Sequence, residues 1–318
     1  MISIFYINMK YMKRIFFLLL LILIYSKLFS KESFVIPFQI NSEGNIFIEL
    51  LDEYDNYSFM FDTASTPNVL YKKGYEKIKN KYGFNIEDKL YEMVIEKNPT
   101  VSEDAARKYV KEYIDQNTLI FEVKNLRYEK EKFATKKFIY NHQVYRDFDD
   151  SEFDGIVGLS FFDDLKNLTI NYKENLIIIN DTKKLEKSIQ LEKLKQNNIF
   201  KIEISINNVI QEAIIDTGSM YFFVRPEYEN TKRYSEQELL NAIDINNLKQ
   251  KIGKSEINVQ LKIGDFSSIV KGYFFDKQKY KCTEAGESFA YKINILGNQL
   301  FLNHIIQLDF ENMEFRIE

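Results

Sequence analysis

The sequence predicts an all-β protein built from two similar halves, with one helical insertion in the first half. Most segments after residue 33 are short runs rich in Ile, Val, Phe and Tyr, separated by turn residues, which is typical of strands. Several short motifs occur twice in the same order, and one stretch alone has apolar residues at helical spacing. The clearest predicted strands are residues 118–124, 133–140, 258–263 and 269–275.

The N-terminus, residues 1–30, is predicted to be a signal peptide for secretion. Its basic residues are Lys10, Lys13, Arg14 and Lys27, it contains no acid, and residues 15–25 form an unbroken apolar run. A membrane-spanning helix needs about 20 apolar residues, so this run is short for one. A cut after residue 30 would place a leucine where a small residue is preferred, so an uncleaved membrane anchor over residues 15–29 remains the alternative. Either interpretation predicts an exported protein, periplasmic or secreted.

Composition excludes several kinds of chemistry. The chain of 318 residues has one cysteine, Cys282, and two histidines, His142 and His304. One cysteine cannot form an intrachain disulfide or supply a cysteine-based zinc site. A net charge of −4 gives no reason to expect a nucleic-acid partner. We therefore expect no metal and no organic cofactor, and a chemistry that depends on carboxylates and hydroxyls.

An internal repeat divides the chain into halves at about 34–180 and 198–318. The sequence Asp-Thr-Ala-Ser at 62–65 is echoed by Asp-Thr-Gly-Ser at 216–219, each after an apolar run. Before this motif, the sequence Asn-Ile-Phe at 45–47 recurs at 198–200, which matches Ile46 with Ile199. After it, each half has an apolar-apolar-Gly motif followed by a similar tail, so four features recur in one order. The polar residues 181–197 between the halves are predicted to be a solvated linker or a short helix.

The predicted helix, residues 100–116, has no counterpart in the second half. Thr100 and Glu103 are spaced as a capping box, and Ala106, Tyr109 and Val110 recur at helical spacing. A surface helix packed by its tyrosine stripe is favoured over a functional lid.

Asp62 and Asp216 are the candidate catalytic residues. An acid after a strand-like run, followed by Thr, a tiny residue and Ser, is typical of a carboxylate at a tight turn that ends a strand. Pairing of the two halves would bring these acids together although they are far apart in sequence. Two carboxylates in contact share one proton. The ionised one can then deprotonate a water while the protonated one donates to a carbonyl oxygen, which gives direct attack of water on an amide.

These motifs resemble those of the pepsin and retropepsin family of aspartic proteases. The resemblance rests on the two Asp-Thr-(Ala/Gly)-Ser motifs, on Asp154 to Leu159, and on Ile295 to Gly297, and it covers roughly residues 40–318. It implies a bilobal, tandem retropepsin-like fold with a peptide or protein substrate in the cleft between the lobes. Residues 34–180 would be the N-terminal lobe and residues 198–318 the C-terminal lobe.

The resemblance also implies roles for the motif residues. Asp62 and Asp216 would form the catalytic dyad. Supporting roles would fall to Thr63 and Thr217, which would make cross-lobe hydrogen bonds, and to Ser65 and Ser219, which would hydrogen-bond the outer carboxylate oxygens. The small residues Ala64 and Gly218 would complete the two loops.

One departure from the family pattern concerns Ala64, since that position is normally glycine. An alanine with a positive φ angle would cost about 1–2 kcal/mol, whereas with a negative φ the methyl group is nearly free. The family's flap tyrosine cannot be placed in this sequence. The expected function is a monomeric aspartic endopeptidase that cleaves exported proteins. The alternatives are a non-catalytic protein that binds a peptide or an envelope protein, and an enzyme that processes one exported protein.

Overall fold

The computed structural model describes residues 33–42, 44–65, 67–81, 86–141, 152–194, 199–224, 239–243, 249–275 and 293–318. The predicted signal peptide, His142 and Cys282 lie outside these residues. Phe34–Glu318 form one compact unit. Within the described ranges, no helix combines the length and the apolar character needed to cross a membrane.

The structure is mostly β, as predicted, with one large mixed sheet. The described α-helices are α1 Lys72–Lys81, α2 Ile86–Lys97 and α3 Glu103–Gln116. The strands of the part that precedes residue 195 are β1 Phe34–Ile40, β2 Ile46–Leu51, β3 Asn56–Phe61, β4 Asn68–Leu70, β5 Leu119–Val123, β6 Arg127–Tyr128, β7 Glu131–Lys132, β8 Lys136–Tyr140, β9 Gly155–Val157, β10 Asn167–Asn171, β11 Leu176–Ile179 and β12 Ser188–Lys193. Those that follow are β13 Phe200–Ile206, β14 Val209–Ile215, β15 Leu239–Ile243, β16 Lys249–Ile263, β17 Phe266–Phe275, β18 Asn294–Leu296, β19 Ile305–Asp309 and β20 Glu314–Ile317.

The strands form because apolar residues alternate with polar ones. In β13, the side chains at alternate positions are buried and those between them, Lys201, Glu203 and Ser205, face outward. Strand β2 alternates in the same way. The buried faces of strands from both halves contribute to one continuous apolar core. All four segments that we expected to be strands contain one, in β5, β8, β16 and β17.

Helix α3 confirms the predicted helix but corrects two details. Its N-cap is Ser102, whose hydroxyl accepts the backbone N–H of Ala105 at 3.3 Å, so the predicted capping box of Thr100 and Glu103 is wrong. Its packed face is made by alanine and aliphatic side chains, whereas Tyr109 and Tyr113 are exposed. The tyrosine stripe therefore faces outward.

Helices α1 and α2 were not predicted. Helix α1 has few apolar residues and contains Gly74, which lowers helix propensity. A Cβ at Gly74 would lie 2.1 Å from the backbone oxygen of Asp154, so only glycine allows this approach. The helix is fixed there by Lys77, whose ammonium group lies 2.7 Å from the buried Asp154 carboxylate.

Strand β12 lies within residues 181–197, where we expected a solvated linker or a short helix. It pairs with β20 on one side and with β13 on the other, both antiparallel. Only Leu191 of its six residues is buried. The charged composition that favoured a linker reflects this exposure, because only Leu191 is buried and Ile189 packs against the core while half-buried.

The strand pairings of the first half recur in the second. Strand β2 pairs with β3 through Ile48 and Phe59, and β13 pairs with β14 through Ile202 and Ala213. Strand β3 runs parallel to β9, and β14 runs parallel to β18. In each half a further segment, β4 in the first and the residue Phe223 in the second, pairs antiparallel with this parallel neighbour. The repeat seen in the sequence is therefore a repeat of strand pairing.

The two sets of strands meet along β10 and β19, which pair antiparallel. This pair lies at the centre of six strands in the order β1-β11-β10-β19-β20-β12. The register is also reciprocal, since Leu168 pairs with Leu308 while Ile170 pairs with Ile306. An approximate twofold relation therefore runs through this pair of strands.

Candidate active site

Two equivalent loops begin where β3 and β14 end. Asp62 follows β3, and its backbone N–H donates to the carbonyl of Val157 in the parallel neighbour β9 at 3.0 Å. Asp216 follows β14 and donates in the same way to Leu296 in β18 at 3.1 Å. Each aspartate thus lies at the first position after a buried strand, held by the adjacent parallel strand.

The glycines of the apolar-apolar-Gly motifs allow these loops to pack. A Cβ at Gly158 would lie 2.1 Å from the backbone oxygen of Ser65, and a Cβ at Gly297 would lie 2.4 Å from that of Tyr221. Such distances are far below van der Waals contact. The apolar-apolar-Gly motif occurs in both halves because, in each, the backbone near the aspartate loop passes too close to this glycine for a side chain to fit.

Thr63 and Thr217 connect the two loops through four hydrogen bonds. The backbone N–H of Thr63 donates to the hydroxyl of Thr217 at 2.9 Å, and the N–H of Thr217 donates to the hydroxyl of Thr63 at 3.1 Å. Each hydroxyl in turn donates across the site, that of Thr63 to the carbonyl of Ile215 at 2.7 Å and that of Thr217 to the carbonyl of Phe61 at 2.9 Å. Both threonines are almost fully buried. This brace brings together residues 154 positions apart.

The carboxyl groups of Asp62 and Asp216 are neighbours, and the interaction between them affects the pKa of each. Within its own loop, Asp62 Oδ1 accepts the N–H of Ala64 at 2.7 Å, and Asp216 Oδ1 accepts the N–H of Gly218 at 2.9 Å. The backbone N–H groups of Ala64, Ser65 and Gly218 all lower the pKa of Asp62. Those acting on Asp216 come from Gly218 and Ser219.

The electrostatics of the pair favour one shared proton. Desolvation raises the pKa of Asp62, and the backbone donors together with Asp216 oppose that rise. Desolvation also raises the pKa of Asp216, and the charge of Asp62 and their shared hydrogen bond raise it well above its ordinary value. Because the pKa of Asp216 is raised further than that of Asp62, we infer that Asp62 is the ionised member of the pair and that Asp216 keeps the proton.

Ala64 and Gly218 occupy equivalent positions in different surroundings. Neither has a positive φ angle, so the alanine is not strained. A Cβ at Gly218 would lie 2.6 Å from both Cγ and Oδ2 of Asp62. Ala64 instead packs against an apolar cluster of the second half, which contains Ile214, Phe223 and Ile295. The glycine is required by the opposite carboxyl group, whereas the alanine methyl has an apolar contact.

The two motif serines differ from the expectation. The hydroxyl of Ser65 donates to the carbonyl of Pro67 at 2.8 Å, and that of Ser219 donates to the carbonyl of Tyr221 at 3.2 Å. Their backbone N–H groups donate to the backbone carbonyls of Asp62 and Asp216, each at 3.2 Å, and also lower the pKa of the two carboxyl groups. The hydroxyls therefore close the turns and do not donate to the outer carboxylate oxygens, although we expected them to do so.

One residue of the site, Asn298, was not predicted from the sequence. It follows the glycine of the second apolar-apolar-Gly motif. It is fully buried and donates to the backbone carbonyl of Thr217 at 2.7 Å. Its polar side chain within an otherwise apolar stretch is the signal that could have identified it. In the part of the chain that the structure describes, no cluster of three or more His, Cys, Asp or Glu side chains could hold a metal ion.

No protein-family model matches this sequence, and a comparison with curated proteins finds no significant match. The function must therefore be argued from the chemistry of the site itself.

Proposed function

We propose that this protein is an aspartic endopeptidase of the pepsin and retropepsin type, with Asp62 and Asp216 as its catalytic dyad. The observation that carries the proposal is the pairing of two repeated Asp-Thr loops through reciprocal threonine hydrogen bonds, which brings the two carboxyl groups together. The pairing of β10 with β19 supports a pepsin-like arrangement in which each half contributes one aspartate.

The proposed reaction uses one proton shared by the dyad. Ionised Asp62 takes a proton from a water molecule while the water oxygen bonds to the carbonyl carbon of the scissile amide. Protonated Asp216 donates its proton to the carbonyl oxygen, so a neutral gem-diol forms and the charge moves to Asp216. In the second step, Asp62 protonates the amide nitrogen, Asp216 takes a proton from a gem-diol hydroxyl, and the C–N bond breaks. The products are an acid and an amine, and the dyad returns to its initial state.

Ala64 provides no reason to prefer a non-catalytic binding protein. That alternative arose because the family's glycine is replaced here and because the family's flap tyrosine cannot be placed. The negative φ angle and the apolar contact of Ala64 make the replacement compatible with an intact loop. We also propose that the N-terminal run directs export, so that the substrates are peptides or proteins outside the cytoplasm.

The test is peptide hydrolysis by the purified protein across pH 3 to 7, with Asp62→Asn and Asp216→Asn as variants. New termini are identified by mass spectrometry on a mixture of unfolded proteins, and circular dichroism verifies that the variants remain folded. We expect cleavage that increases below neutral pH and is lost in both variants.

Two results would contradict the proposal. One is full activity in either asparagine variant. The other is binding of peptides by the wild-type protein without cleavage at any pH in this range, which would favour the non-catalytic alternative. If unfolded proteins are not cleaved, exported proteins from cells with the active protein and with the Asp216→Asn variant should be compared, because an enzyme that processes one protein would be detected only there.

A further inference from the structure

Asn298 uses both N–H donors of its side chain and also its side-chain carbonyl oxygen. Its amide group donates to the carbonyl of Gly44 at 2.9 Å and to the carbonyl of Thr217 at 2.7 Å. Its carbonyl oxygen accepts the hydroxyl of Tyr172 at 2.7 Å. Its backbone N–H donates to the carbonyl of Ser219 at 2.8 Å. An asparagine side chain has two N–H donors, and both are occupied here.

These partners come from three separate parts of the chain. Gly44 lies in the turn between β1 and β2, Tyr172 directly follows β10, and Thr217 belongs to the loop of Asp216. Two of the three are in the first half, so Asn298 ties the second aspartate loop to the first half. Burial raises the pKa of Tyr172, so its hydroxyl stays protonated and remains a donor.

The hydrogen bond from Asn298 to the carbonyl of Thr217 holds the peptide group between Thr217 and Gly218, which faces the dyad. The carbonyl of Thr217 and the N–H of Gly218 belong to the same planar peptide group and point in opposite directions. That N–H acts on both Asp216 and Asp62. By holding the carbonyl, Asn298 fixes the plane of this group. It also polarises the N–H, since hydrogen bonds in a chain strengthen one another.

Among the described residues of the first half, those at the equivalent positions cannot form this contact. The position that corresponds to Asn298 is Leu159, which follows Gly158 and is buried. The position that corresponds to Tyr172 in the repeated tail is Phe310, which has no hydroxyl. The polar brace therefore acts on one loop, and it breaks the symmetry of a site that is otherwise close to twofold.

We propose that Asn298, oriented by Tyr172, is a positioning residue that aims the Gly218 N–H at the two aspartates and so controls their titration. A hydrogen bond to the charged form of an acid lowers its pKa. Loss of the brace should therefore shift the first ionisation of the pair to higher pH. The kinetic consequence rests on the proposed function, whereas the titration does not.

The test uses three variants of the full chain. Asn298→Leu gives the second half the residue type of the first, and Tyr172→Phe removes the hydroxyl alone. Gln307→Leu is the matched control, because Gln307 is a buried amide in β19 that bonds Thr169 and the carbonyl of Lys183. The carboxyl carbons of Asp62 and Asp216 are followed by ¹³C NMR from pH 2 to 9, beside thermal unfolding and the pH profile of kcat/KM.

We expect both test variants to move the first dyad ionisation, and the acid limb of kcat/KM, to higher pH. They should lower kcat about three- to tenfold with little change in KM, as expected for one weakened hydrogen bond. Gln307→Leu should lose stability and keep the wild-type titration. If Asn298→Leu does not fold, Tyr172→Phe decides alone.

A wild-type titration in folded Asn298→Leu or in Tyr172→Phe would overturn the proposal and leave a structural role. If the wild-type protein cleaves no peptide, the proposed function fails while the NMR titration still decides the role of Asn298. The two failures are therefore distinguishable.

Discussion

The two aspartate loops have the same backbone plan and different constraints at their third residue. In both, the aspartate is bonded to a parallel neighbouring strand and the threonine bonds the opposite loop. In one loop the third residue is Gly218, which faces the Asp62 carboxyl group, and in the other it is Ala64, which faces an apolar cluster. The comparison teaches that each position in a duplicated site is constrained by what the other half places opposite it.

The largest expected effect tests this asymmetry directly. Gly218→Ala should lower kcat/KM by about a hundredfold, because the new methyl group would displace the Asp62 carboxyl from its partner. The matched change Ala64→Gly should alter kcat/KM by less than about threefold, since it removes an apolar contact and relieves no strain. Steady-state kinetics on one cleaved peptide measures both.

Equal effects of the two exchanges would contradict the asymmetry. A gain in activity in Ala64→Gly would show that the alanine impairs the site and would favour a protein that is losing catalysis.

The threonine brace is the symmetric part of the comparison, so its two members should matter equally. Thr217→Val leaves the N–H of Thr63 and the carbonyl of Phe61 without their buried partner. At about 1–3 kcal/mol for each of these two unsatisfied groups, we expect the free energy of unfolding to fall by about 2–6 kcal/mol. Thr63→Val should have the same effect, and chemical denaturation measures it.

Thr100→Val is the control, because Thr100 is exposed and its change should stay within about 0.5 kcal/mol. A loss in Thr63→Val alone, with Thr217→Val unaffected, would show that the brace is not reciprocal.

Asp309 is a structural acid whose pKa is shifted in the opposite direction to the pKa of the dyad. Burial raises its pKa, but hydrogen bonds from Asn312 and Lys184 outweigh burial and lower it to about 2. A lowered pKa stabilises the fold above the ordinary value of 3.8, and this stabilisation is lost as pH falls through about 2. Asp309→Asn should therefore lower the free energy of unfolding at pH 7 by about 2 kcal/mol, with the difference fading in acid.

Asp216→Asn should do the reverse. The pKa of Asp216 is raised in the folded protein because desolvation and the charge of Asp62 oppose its ionisation. The folded wild-type protein therefore loses stability as pH rises through that pKa. The neutral amide removes this cost, so the variant should be more stable than wild type at pH 7 and equally stable in acid. Denaturation of both variants at pH 3 and 7 is the measurement, and shifts of the same sign would contradict the contrast.

The dyad could be predicted from the sequence because its signal is local and occurs twice. The alignment of the halves was off by one residue at the start, where we matched Ile46 with Ile199 by their shared neighbours. In the structure Phe47 pairs with the residue two before Asp62, and Lys201 pairs with the residue two before Asp216. These two positions are therefore equivalent, and Ile46 corresponds to Phe200. Strand pairing depends on partners that are distant in sequence. Similar residues in two strands with alternating apolar side chains do not define which positions are equivalent.

The parts that could not be predicted depend on contacts between distant segments. Helix α1 contains a glycine that its own sequence does not explain, and the reason is the backbone of Asp154. The direction of the serine hydroxyls depends on the turn geometry around Pro67 and Tyr221. Asn298 has a role only because Gly44, Tyr172 and Thr217 converge on it. Of these residues only Asn298 leaves a local signal, its polar side chain after the motif glycine, and that signal does not identify its partners.

The central claim is that the two aspartates titrate as one pair, and ¹³C NMR of their carboxyl carbons tests it most directly. In the wild-type protein we predict one group that ionises well above the ordinary pKa of aspartate. We also predict that Asp62→Asn shifts the Asp216 titration to lower pH, because the repelling charge is gone. Two independent titrations near the ordinary value, each unchanged when the other acid becomes asparagine, would contradict the claim.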